Sequence, residues 1–210
     1  MTRTEFLTYI KRTFKREDKD TELIDALNDT LYDMSTRYDF QVSQTETEIT
    51  LNDSDYKYDY PSGYAFLISN LKYIDSGGGG RTLNQLTKEQ FDDKYPDISS
   101  SNADKGDPID YTIYGNEIFI APYLQTVTTQ KLYISGSNVA SELGESDSPD
   151  YEDRFREVIK FGTLYRAYSD LDLDDKAAKY KNLYDEGMEK MINIDDKKGN
   201  GIEQVYMDLI

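Results

Sequence analysis

The sequence predicts an α+β protein in which a helical bundle carries an inserted, small antiparallel β-sheet or barrel. Apolar residues recur with a helical period near both ends of the 210-residue chain and with a period of two between them. The clearest local signal is Gly115-Asn116 between two alternating runs, which is typical of a tight hairpin. We therefore expect one bundle made of an N-terminal helix pair (1–38) and a C-terminal helix hairpin (148–194), a β-rich insert (39–136), and a C-terminal docking tail (195–210).

Two helices are predicted at the start of the chain, over residues 4–14 and 21–38. Leu7, Ile10 and Phe14 share one face of the first helix. Asp20 or Thr21 can cap the second helix. Its packing stripe recurs at steps of three and four and consists of Ile24, Leu27, Leu31, Met34 and Tyr38, whereas the opposite face carries Asp25, Asn28, Asp29 and Asp33.

Alternating residues in the middle of the chain predict strands. These runs are Phe40–Val42, Glu46–Leu51, Tyr56–Tyr60, Tyr64–Tyr73, the two arms of Tyr111–Ile120, and Lys131–Ile134. Thr87 and Gln90 fit a capping box that opens a short helix. The four glycines Gly77, Gly78, Gly79 and Gly80 predict a flexible loop without a preferred backbone shape, which we expect to be accessible for contact with a neighbour.

Helical periodicity returns after an acidic loop over residues 142–147. Ser148 and Pro149 fit an N-cap and the first helical position. A second helix is expected from about Asp174. Gly162 and Gly187 fall inside these helices, where glycine costs about 1 kcal/mol relative to alanine. We therefore expect the two glycines to mark a close helix crossing.

Composition excludes several classes of function. The chain has no Cys and no His, which rules out thiolate metal sites, cysteine nucleophiles and imidazole chemistry. Its formal net charge of −17 argues against binding driven by nucleic-acid phosphates. There is no run of about 20 apolar residues that could span a membrane, and no signal peptide is recognised at the N-terminus.

No motif indicates an enzyme, a cofactor or a metal. Asp170–Asp174 begins like a calcium loop, but Asp175 and Lys181 stand where the loop needs Gly and Glu. The glycines before Arg81 do not fit a phosphate-binding loop, because Asp75 occupies the position of its first glycine. The many carboxylates make chance pairs unavoidable, and none lies in an apolar motif that would raise a pKa.

The C-terminal segment combines a Gly-Asn-Gly break with an apolar stripe. Ile202, Val205, Tyr206 and Leu209 follow helical spacing, and Ile210 ends the chain. Such a segment fits a peptide that docks in a partner's groove. Folding back on the protein's own core is an equal alternative.

The order of elements resembles a known family. The segments that carry the likeness are Tyr60–Tyr64, Gly106–Pro122, Val158–Gly162, Tyr165–Tyr168 and Ala177–Tyr180. Together with the N-terminal helix pair, they are similar to the head-to-tail adaptor (connector, or neck) proteins of tailed bacteriophages, over most of the chain.

This resemblance implies a structural virion protein made in the host cytoplasm and located in the neck. It implies a homo-oligomeric ring, commonly of twelve copies, that docks beneath the portal protein and links the capsid to a downstream tail or neck protein. The helical bundle would build the ring, the segment Ile202–Ile210 would reach the portal, and DNA would pass through the channel without specific binding.

Two other functions remain open from the residues alone. The net charge fits an acidic DNA mimic that inhibits a nucleic-acid-binding protein. The 19 tyrosines are compatible with a carbohydrate-binding module or enzyme. They are more typical of side chains that fill a small sheet and line subunit interfaces.

Overall fold

The computed structural model describes residues 1–16, 18–100 and 103–199, and its α+β architecture confirms the predicted fold class. The chain divides into two compact units. A helical unit contains Met1–Ser43 and the chain from Asn138 onward, and a β unit contains Gln44–Ser137.

Four α-helices build the described part of the helical unit. They are α1 (Arg3–Phe14), α2 (Asp20–Arg37), α4 (Arg156–Ser169) and α5 (Asp174–Gly199), while the short α3 (Lys88–Lys94) belongs to the β unit. A capping box opens α1, since the Thr2 hydroxyl accepts from the Glu5 amide and the Glu5 carboxylate accepts from the Thr2 amide. Residues 170–173 form the turn between α4 and α5.

The predicted cap of α2 is wrong. The residue that precedes α2 is Lys19, and no side chain caps it. Asp20 instead lies inside the helix and pairs with Lys11 of α1, with 2.5 Å between Nζ and Oδ1. The carboxylate still lies in the first turn, where the helix dipole favours a negative charge.

One apolar core joins the helices. Leu7, Ile10 and Phe14 are buried as predicted, and so are Leu27, Leu31 and Met34 of α2. Ile24 and Tyr38, which follows the last residue of α2, are only partly buried, whereas Leu23, Ala26 and Thr30 are fully buried. The buried face of α2 is thus wider than the predicted stripe. Residues of both α4 and α5 belong to the same core as this face.

The predicted start of α4 at Ser148-Pro149 is also wrong. A short 3-10 helix at Asp153–Phe155 precedes α4, and residues 148–152 are irregular. The reason is Tyr151, whose ring is 93% buried and contacts Phe40 edge-on with 5.4 Å between centroids. Burial of this ring overrides the local capping signal.

The strands of the β unit form a five-stranded and a four-stranded sheet within the described residues. Their bounds are β1 (Gln44–Ile49), β2 (Lys57–Asp59), β3 (Tyr64–Leu67), β4 (Lys72–Ile74), β5 (Gly80–Thr82), β6 (Asn84–Gln85), β7 (Asp110–Tyr114), β8 (Glu117–Ala121) and β9 (Lys131–Asn138). The sheet orders are β1-β9-β4-β5, with β3 also on β9, and β2-β8-β7-β6.

Residues of both sheets share one core, so the sheets pack face to face. Ile49, Tyr73, Leu132 and Ile134 come from the first sheet. Tyr58, Tyr111, Ile118 and Ile120 come from the second sheet. The β7–β8 hairpin turns at Gly115-Asn116 as predicted, and Gly115 has the positive φ of 63° that such turns require.

Two details of the insert differ from the prediction. Phe40–Val42 is not a strand: Gln41–Ser43 is a 3-10 helix, and the buried Phe40 belongs to the core of the helical unit. The second sheet is not purely antiparallel, since β6 pairs with β7 in parallel. The capping box of α3 forms as predicted from Thr87 and Gln90.

Candidate interaction surfaces

The predicted crossing glycines lie where the long helices meet. A Cβ atom on Gly162 of α4 would come within 2.5 Å of Thr30 Cγ2 and 2.9 Å of Tyr184 Cε2. A Cβ atom on Gly187 of α5 would come within 2.9 Å of a Val158 methyl group. The space beside both glycines is thus filled by side chains of the facing helices.

A polar network ties α2, α4 and α5 together around Asp33. Tyr184 Oη donates to Asp33 Oδ2 at 2.7 Å, and Arg166 Nη2 lies 3.1 Å from the same oxygen. Arg37 Nε donates to Asp33 Oδ1 at 2.9 Å and Arg37 Nη1 reaches Asp185 at 3.1 Å. Asp33 belongs to the acidic face predicted opposite the packing stripe of α2, and its side chain is 77% buried in this network.

The network fixes the charge state of Asp33. Burial raises the pKa of this carboxyl, but the hydrogen bonds from Tyr184 and Arg37 and the charges of Arg37 and Arg166 outweigh it, so the pKa is lowered. The pKa of Tyr184 is raised, first by burial and then by its hydrogen bond to Asp33. Asp33 is therefore an ionised acceptor that holds three helices in register.

The end of α5 is anchored to the end of α2. Tyr38 Oη donates to Asp196, and the Gln41 amide donates to Asp195 Oδ2 at 3.0 Å. Gln41 Nε2 also donates to the Asp195 carbonyl at 3.0 Å. These bonds fix α5 as far as Asp196, three residues before Gly199, the last residue that the structure describes. The predicted tail residues Ile202, Val205, Tyr206, Leu209 and Ile210 lie outside the described residues.

The four-glycine segment is a defined turn in the structure rather than a loop without a preferred shape. Asp75 Oδ1 accepts from the amides of Gly77 and Gly79 at 2.8 and 2.9 Å. Gly78 has a φ of 84°, and Gly80 begins β5, which pairs with β4. The turn is exposed, and its contact with a neighbour remains a prediction.

A buried carboxylate fixes α3 to the second sheet. Asp110 of β7 is 1% exposed and accepts from Lys94 Nζ at 2.6 Å, Tyr95 Oη at 2.5 Å and Asn84 Nδ2 at 3.1 Å. Burial opposes its ionisation, but these three donors outweigh burial and lower its pKa. Burial and the hydrogen bond to Asp110 raise the pKa of Tyr95 to about 12. The site has the features of a structural anchor.

The surface outside these anchors is rich in carboxylates and carries isolated apolar side chains. Tyr32, Val42 and Leu173 are exposed on the helical unit, and Ile109 and Tyr114 on the β unit. Among the described residues, no group of three or more acidic side chains is arranged to hold a metal ion. No described helix is both long enough and apolar enough to cross a bilayer.

Comparison with known proteins identifies the family of this chain. The sequence profile of the SU10 adaptor protein family matches residues 1–204. The chain belongs to this family. The SU10 adaptors are phage adaptor proteins, so the resemblance read from the sequence is confirmed. A search among curated proteins gives no match.

Membership in this family indicates the general role of the chain. An SU10 adaptor is a structural protein of the phage virion that binds other virion proteins, and this role is not enzymatic. In the described structure, the perturbed carboxyls and tyrosines join elements of the fold to one another.

Sequence reasoning missed both anchors. Asp33 was placed on the face of α2 opposite the packing stripe, and the period of α2 alone does not show that Arg166 of α4 and Tyr184 of α5 reach it. Asp110 was not singled out at all. A signal existed for Asp110, as it is an acidic residue at the start of an otherwise uncharged alternating strand.

Proposed function

We propose that this chain forms a ring, most simply of twelve copies, that docks beneath the portal and connects the capsid to a downstream tail or neck protein. The observation that carries the proposal is the family match over residues 1–204. The location would be the neck of the virion.

The two units would have different roles in this ring. The helical unit, held by the Asp33 network and by the fit of side chains at Gly162 and Gly187, is the rigid part that we assign to contacts between copies. The β unit would face the next tail component or the channel. We assign portal docking to Ile202–Ile210, which begin three positions after Gly199, the last residue of the anchored helix α5.

The charge of the chain suits a DNA conduit. The formal charge is −17, so twelve copies would carry about −200 before counterions bind. Carboxylates along a channel repel DNA phosphates and reduce adhesion during passage. The DNA-mimic alternative rests on the net charge alone, and that charge also suits a DNA conduit.

The tail assignment is tested by matched substitutions. Alanine at Ile202, Val205, Tyr206 and Leu209 should abolish binding to the cognate portal, whereas alanine at Glu203, Gln204 and Asp208 should preserve it. Pull-down and mass photometry measure both. Equal binding by the two variants, or portal binding by a chain lacking residues 199–210, would overturn the assignment.

A further inference from the structure

The two sheets of the β unit are joined on one side and open on the other. On the joined side, Leu83 is the single residue between β5 of the first sheet and β6 of the second, and it is 1% exposed. On the other side lie β1 and β2, the end strands of the two sheets. In the described chain, β1 pairs only with β9 and β2 only with β8. Each therefore has one edge with unused main-chain hydrogen-bonding groups.

An open groove of about 690 Å³ lies at this side. Residues 47–49 of β1 and the following Thr50 line one wall of the groove. Residues 57–59 of β2 and the following Tyr60 line the other. Ile49 and Tyr58, each 8% exposed, contribute an apolar part to the lining. Since β1 is six residues long, a segment paired along its whole edge would span roughly 20 Å, and the groove borders the second half of that edge.

The charge of the lining indicates which segments fit. Glu48, Asp59 and Glu117 line the groove, together with a single ammonium group, that of Lys57. Lys131 pairs with Glu48 at 2.8 Å and Lys57 pairs with Glu117 at 3.0 Å. Asp59 is exposed and forms no ion pair with any residue that the structure describes. A lysine or arginine of an occupant would find an ion-pair partner in Asp59.

We propose that the groove between β1 and β2 binds an extended segment of another virion protein as an added strand, and that this segment carries apolar residues and a lysine or arginine. Strand addition would supply main-chain hydrogen bonds to the free edges and bring the two sheets together on their open side. The inference rests on the proposed function, because it requires a neighbour in the virion. A segment of a second copy is the less favourable occupant, since each copy brings a net charge of −17.

The test uses assembled phage particles in which Thr50 is replaced by the photocrosslinking residue p-benzoylphenylalanine, with the same replacement at exposed Ser99 as the control. Replacement at Ser62, which also lines the groove, gives a second variant should Thr50 not tolerate the change. Mass spectrometry identifies the crosslinked peptide. The expected product from either groove position joins this chain to a Lys- or Arg-containing segment of a different virion protein, and Ser99 gives no such product.

Charge reversal tests the assigned role of Asp59. Asp59→Lys should reduce the yield of the Thr50 crosslink about fivefold or more, whereas Asp93→Lys, the same change on exposed α3, should leave it unchanged. Particles that contain the chain but give no groove crosslink, that give a crosslink to a second copy, or that keep the yield in Asp59→Lys would overturn the inference. Particles that lack the chain would refute the proposed function itself.

Discussion

Among the described glycines of the helical unit, Gly162 has the least room for a side chain. Gly162→Ala gains about 1 kcal/mol of helix propensity, but its Cβ atom would lie 2.5 Å from Thr30 Cγ2 and 2.9 Å from the buried Tyr184 ring. Neither neighbour is the end of a flexible side chain. We therefore expect a net loss of about 1–2 kcal/mol in the free energy of unfolding, measured by chemical denaturation.

The control for this substitution is Gly106→Ala. A Cβ atom on Gly106 meets nothing within 4 Å, and the backbone there does not have a positive φ. Its free energy of unfolding should stay within about 0.5 kcal/mol of the wild type. Equal effects of the two substitutions would contradict the packing account of Gly162.

Asp33 is the residue on which the electrostatics of the helical unit depend. Asp33→Asn removes the charge that partners Arg37 and Arg166, so the free energy of unfolding should fall by about 1–3 kcal/mol at neutral pH. Asp29→Asn, on the exposed face of the same helix, should be nearly neutral. Urea denaturation of both variants measures this difference, and similar losses in the two would argue against the network.

The pH dependence of stability follows from the same carboxyl. The pKa of Asp33 is lower in the folded protein than its ordinary value of 3.8. Its contribution is therefore complete above that value and is lost as the pH falls through the lower, folded pKa. Between neutral pH and pH 3, the wild type should lose more stability than Asp33→Asn, and parallel curves would be inconsistent with this assignment.

At the scale of elements, Asp110 holds α3 on the second sheet. Asp110→Asn weakens the bonds from Lys94 and Tyr95, so the amides of Lys88–Lys94 should exchange with solvent faster. The pKa of Tyr95 should also fall below its value of about 12. Exchange mass spectrometry and ultraviolet titration measure the two effects.

The matched control for α3 is Asp92→Asn. This exposed carboxylate pairs only with Lys88 on the same helix. Its loss should leave the exchange rate of α3 nearly unchanged. An α3 that exchanges equally fast in both variants would show that Asp110 is not its anchor.

Local signals in the sequence determine which elements could be predicted. The bounds of α1, α2 and the β7–β8 hairpin depend on periodicity and turn residues within each segment, and the structure agrees with them to within a residue or two. The start of α4 could not be predicted, because it depends on burial of Tyr151 against Phe40, 111 positions earlier.

The groove could not be predicted for the same physical reason. Which strands end a sheet depends on the order β1-β9-β4-β5, in which the neighbours β1 and β9 lie more than 80 residues apart in the chain. The alternation of Glu46 and Glu48 with threonines indicates a strand but not a free edge. The family, by contrast, was recognisable from segments spread over most of the chain.

At the scale of the whole molecule, we expect net charge to control assembly. Copies at −17 repel one another, so free chains should be monomers at low salt and should form rings when the portal is added. Native mass spectrometry at low ionic strength measures both states. Stable rings without the portal would contradict templated assembly, although not membership of an adaptor ring.

The mass of the complex formed with the cognate portal tests the central claim most directly. Twelve copies of a 24.3 kDa chain would add about 290 kDa to the portal as a single step. A portal that gains no mass, or gains only one or two copies at saturation, would contradict the account of this chain as a ring-forming adaptor.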